Sequence, residues 1–142
     1  MRRPIPTLSA RLAALALLPG AALVFHLRLL ASDPAADTVV THPPAAVRLW
    51  FSQQAELAVT RVRLVGPGGM AVPLGPLAHD TTKPPTANGK PATATRARDE
   101  GVVAAVRGPM PPGAYAVEWR TMAADGHPVS GRTTFRVAPP AH

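Results

Sequence analysis

Apolar and polar positions alternate along this chain in short runs broken by proline and glycine. The clearest run is "AYAVEWRTM", residues 114–122. Tyr115, Val117, Trp119 and Thr121 fall on one side, and Ala116, Glu118, Arg120 and Met122 on the other. A period of two is that of a β-strand with one buried face. "RTTFRVAP" repeats it, with Thr133, Phe135 and Val137 inward against Thr134 and Arg136. "AVRLWFS" does the same at Val47, Leu49 and Phe51, which leaves Trp50 on the opposite, partly exposed face. Further strand signals lie near residues 27–30, at 57–65 and at 101–108. "MAVPLG" reads as a hairpin partner, with Pro73 marking an edge. About seven short strands separated by turns predict an all-β, antiparallel β-sandwich.

Two stretches break the pattern. Residues 76–100, "PLAHDTTKPPTANGKPATATRARDE", are polar and rich in Pro, Thr and Lys. They offer little apolar area to offset ordering entropy, so a mobile loop is expected, with a short edge strand near 92–97. Residues 12–25, "LAALALLPGAALVF", are apolar and uncharged, and follow Arg2, Arg3 and Arg11. The run is shorter than the roughly 18 residues of a membrane span and has the form of a secretory signal. Small residues at Gly20–Ala22 place the expected cleavage after Ala22, giving a signal peptide over 1–22 and a domain over 23–142. An exported, periplasmic or otherwise extracytoplasmic protein is the expectation.

Composition narrows the chemistry. The chain of 142 residues has 18 prolines and no cysteine, so disulfides and thiolate metal sites are excluded. Its net charge is +7, but removal of the leader with its three arginines leaves 12 basic residues against 8 acidic. The arginines are dispersed along the sequence and alternate with apolar positions, as in "VTRVRLV". That is the pattern of a wet strand face, and no nucleic-acid partner is expected. No G-x-S-x-G elbow, H-E-x-x-H helix or phosphate-binding glycine loop occurs, so the protein is not expected to be an enzyme.

The remaining candidates for chemistry are His26, His42, His79, His127 and His142, with Asp125 beside His127 in "TMAADGHPVSG". His26 heads the first strand of the exported domain, and His127 stands in the loop between the last two strands. In a sandwich those places can share one end. Imidazole nitrogen with a carboxylate suits Cu(II), with Zn(II) as an alternative. The plainer reading is an ordinary Asp-Gly turn followed by a surface histidine. His42 and His79 read as solvated turn residues and His142 as a free chain end. Met70, Met110 and Met122 are scattered.

The order of these features resembles the CopC family of periplasmic copper-binding, copper-resistance proteins. The residues that carry the resemblance are His26, "SDPAADTVVTHPPAAVRLWFS" and "PPGAYAVEWRTMAADGHPVSGRTTFRV". The resemblance implies an immunoglobulin-like, Greek-key sandwich. It implies one Cu(II) site built from His26, Asp125 and His127. It further implies a monomeric carrier that buffers or delivers copper, with an inner-membrane copper transporter or another copper carrier as partner. Cleavage after Ala22 leaves Leu23, Val24 and Phe25 ahead of His26, so its imidazole rather than the chain amine is the expected donor. Two other readings stay open: a metal-free immunoglobulin-like interaction module, and a histidine-brace copper oxygenase, which needs the free amine.

Overall fold

The structure is a computed structural model that describes residues 27–82, 84 and 101–141. Two sheets pack face to face. One holds four strands in the order β1 (Leu29–Asp33), β3 (Ala46–Phe51), β7 (Gly101–Ala105) and β6 (Ala78–Asp80). The other holds five, in the order β2 (Thr38–Val40), β9 (Pro128–Val137), β8 (Gly113–Met122), β4 (Arg61–Val65) and β5 (Ala71–Val72). The chain crosses repeatedly between the sheets, as in an immunoglobulin-like sandwich. The expected all-β sandwich is what forms.

The alternation read from the sequence sets the core. Val47, Leu49 and Phe51 of β3 face Tyr115, Val117 and Trp119 of β8 and Phe135 and Val137 of β9, and all are buried. Phe51 and Trp119 meet edge to face, with ring centroids 5.0 Å apart. Tyr115 and Phe135 stack at 5.4 Å. Offset and edge-to-face ring pairs add to the area they bury.

Four expectations need correction. The described residues hold nine strands rather than about seven: β5 is the expected hairpin partner of β4, but β2 and β6 carry too few residues to show a period. The sandwich is not wholly antiparallel, since β2 runs parallel to β9 with Thr38 opposite Phe135. Residues 76–100 are not one loop: Ala78–Asp80 pairs with β7, and the Asp80 side chain is buried against Arg48 with Nε–Oδ2 at 3.2 Å. The edge strand expected near 92–97 lies outside the described residues. Trp50 is 1% exposed rather than partly open. Its face of the sheet is met by chain leaving β6, where its indole N–H donates to the Thr82 carbonyl at 3.1 Å.

Tyr115 closes the far end of β8. Its hydroxyl donates to the Pro111 carbonyl, four residues upstream, at 2.5 Å, an arrangement like the tyrosine corner of immunoglobulin-type domains. Burial raises its phenol above the ordinary value of 10.0. The unfolded chain therefore loses its proton first, and stability is complete below pH 10 and falls as pH rises above it. The chain has a single tyrosine, so tyrosinate absorbance reports this group alone. Denaturant melts should show that Tyr115→Phe costs about 1 kcal/mol at neutral pH and flattens the alkaline decline. An unchanged alkaline decline in the variant would place its origin elsewhere.

Candidate metal centre

Strands β8 and β9 form one long hairpin with Met122 opposite Pro128, so residues 123–127 make its loop. Backbone bonds close that loop: Gly126 N–H donates to the Ala123 carbonyl, and Ala123 N–H to the His127 carbonyl, both at 2.9 Å. Gly126 takes φ = +84°, a region that penalises any side chain with a Cβ. No heavy atom lies near its missing Cβ, so conformation and not space is what calls for glycine there.

This turn brings Asp125 and His127 together. Asp125 Oδ1 accepts the His127 backbone N–H at 3.1 Å, and Asp125 Oδ2 stands 3.0 Å from His127 Nδ1. The His127 side chain is 79% exposed and open to an incoming ion. With a proton on Nδ1 the contact is an N–H···O hydrogen bond that orients the ring and leaves Nε2 as the free donor. Without that proton, Nδ1 and Oδ2 can face one cation. Two donors at about 2.0–2.1 Å from an ion and at right angles to each other stand about 2.8–3.0 Å apart. The observed separation fits that arrangement.

His26 lies outside the described residues. Its neighbours fix where the chain enters the sandwich. Leu27 is in the core, and Arg28 exchanges bonds with Ser52 just beyond β3: its N–H donates to Ser52 Oγ at 3.0 Å, and its carbonyl accepts the Ser52 N–H at 2.8 Å. The segment after β3 then lines one cavity, of about 460 Å³, with Met122, Ala123 and Gly126. The head of β1 and the 123–127 loop thus share an end of the sandwich. Among the described residues, no three His, Asp or Glu side chains converge on a metal position.

The other histidines fall differently. His79 is not a turn residue: it sits on β6 opposite Val102 and lines that same cavity, as does Glu56. Residues 76–80 show no alternation from which its position was readable. His42 lies at the opposite end, beside Met110 and the chain after β9, and its Nδ1 is 3.0 Å from Thr41 Oγ1. His142 lies outside the described residues. Met70 and Met110 belong to the opposite end from Met122, so the three thioethers do not gather.

Comparison with known proteins gives a consistent picture. Residues 29–138 match the CopC domain. The chain is 30% identical over 112 residues to copper resistance protein C of Escherichia coli, covering 79% of this chain and 81% of that one. It is 27% identical over 112 residues to protein YobA of Escherichia coli strain K12, covering 79% and 78%. Among solved structures, PcoC, a methionine-rich copper resistance protein from Escherichia coli, aligns with a TM-score of 0.58 and 27% identity, over 79% of this chain and 98% of PcoC. CopC from Methylosinus trichosporium OB3b shares the fold, with a TM-score of 0.61 at 21% identity over 82% and 98%. With a domain match across most of its length and the same two-sheet fold, this chain belongs to the CopC family.

Proposed function

We propose that the protein is an extracytoplasmic Cu(II) carrier that holds one ion at the β8–β9 loop end of the sandwich. The observation that carries this reading is the 3.0 Å contact between Asp125 Oδ2 and His127 Nδ1, held by a loop that turns through the positive φ of Gly126. The third donor is His26, delivered by the chain that enters the core at Leu27. Nitrogen and oxygen donors favour Cu(II) over other divalent first-row ions. Separated methionines offer no soft site for Cu(I), a departure from the methionine-rich relative. The copper named for two of the relatives supports the same cargo. Residues 1–22 serve as the export signal. The ion is cargo, buffered or handed to a copper transporter or another carrier, and no catalytic step is assigned to it.

A Cu(II) titration followed by electron paramagnetic resonance tests this. Wild type should bind one equivalent with nitrogen ligation. His127→Ala should lower affinity by more than about tenfold, the cost of about 1.4 kcal/mol or more of ligation energy. His26→Ala should do likewise, and Asp125→Asn should weaken binding by removing the charge that offsets the ion. His79→Ala should leave it unchanged. Equal binding by wild type and His127→Ala would reject the site. Failure of wild type to bind copper would leave a metal-free immunoglobulin-like module.

A further inference from the structure

Sequence order scatters the arginines, but strand register gathers five of them. Arg61 and Arg63 of β4, Arg120 of β8, and Arg132 and Arg136 of β9 all point from the solvent side of the five-stranded sheet, and all are exposed. Two carboxylates accompany them among the described residues: Glu118, whose Oε2 is 3.8 Å from Arg63 Nη1, and Asp37 at the rim, which accepts the Thr134 hydroxyl. Arg61 stands directly opposite Arg120. Like charges in that position oppose sheet pairing. Arg61 turns aside, donating to the Ala58 and Thr60 carbonyls. That leaves Arg120, Arg132 and Arg136 as the face's forward cations.

The face is not flat. A groove of about 580 Å³ is lined by Arg132 and Arg136, by Ala114 and Ala116, by the turn at Pro67–Gly69, and by Asp37, whose Oδ1 accepts the Thr134 hydroxyl. Small lining residues admit a polypeptide backbone, and guanidinium groups match carboxylates in paired, bidentate geometry. Tyr115 and Phe135 border the groove, but each is only 2% exposed, so neither offers a ring face for base stacking. A concave groove also suits a chain segment better than a planar bilayer.

We propose that this face docks an acidic segment of a partner protein, seated in the groove along Arg132 and Arg136. It is remote from the 123–127 loop and independent of copper. The test uses the purified protein in metal-free buffer and a labelled peptide of about eight glutamates, followed by fluorescence polarisation from about 0.01 to about 0.15 M ionic strength. Binding should weaken steeply as salt rises. The double variant Arg132→Glu/Arg136→Glu should lose more than about tenfold in affinity, and Arg132→Gln/Arg136→Gln an intermediate amount. Arg107→Glu, an exposed arginine off this face, should change affinity by less than about twofold. Three results would overturn the proposal: no binding at the lowest salt, an equal loss in Arg107→Glu, or binding only to phosphatidylglycerol vesicles. Copper binding unchanged in the double variant would show that the loop site stands separately.

Discussion

Trp119→Ala is expected to destabilise the fold by about 3–5 kcal/mol, the range for truncating a buried aromatic. Trp119 is 7% exposed and packs edge to face on Phe51 across the two sheets. Its removal opens a cavity between β3 and β8, and neither strand can close it without giving up ladder bonds to its neighbours. The indole N–H is buried without a hydrogen-bond partner, so no polar contact is lost with the ring. The penalty is thus one of packing. Denaturant melts should show a lower midpoint at an unchanged slope. A loss below about 1 kcal/mol would mean that the ring contributes little to holding the sheets together.

Gly131→Ala should be nearly as damaging, about 1–3 kcal/mol, for a reason on the neighbouring strand. Gly131 lies directly opposite Trp119, and the indole lies over it. A Cβ there would meet Trp119 Cζ2 at 2.4 Å and Cε2 at 2.7 Å, well inside contact distance. The ring cannot swing away freely, because Phe51 holds its other side. The two sites should therefore couple. In a Trp119→Ala background the added methyl has room, and its cost should fall toward zero or reverse. Additive losses in the double variant would show that Gly131 is needed for its backbone and not for the ring above it.

The long strands were legible because each carries enough residues to show a period of two. Residues 47–51, 115–121 and 133–137 present one apolar face, and each of those faces is buried. Trp50 was misread because alternation reports which side of a strand a residue takes, not what covers that side. The chain that meets Trp50, at the Thr82 carbonyl, lies more than thirty residues away. β2 was missed for a related reason: Thr38–Val40 is mostly exposed and is held by parallel pairing to a distant strand, which leaves no local mark.

The proposed metal centre divides in the same way. "ADGHP" announces a turn with a carboxylate and an imidazole, because Asp caps turns and Gly accepts positive φ. Residue spacing therefore predicted that Asp125 and His127 would be close. It did not predict that both carboxylate oxygens would be engaged by His127, one by its backbone and one by its ring.

His79 joins the cavity at that end by the pairing of β6 with β7, and the five arginines share a face by the registers of β4, β8 and β9. Periodicity and turn chemistry are local, and they decided the class of fold, its core and the loop. Register, layer order and cover depend on contacts between residues far apart in the chain, and only the folded sandwich decided those.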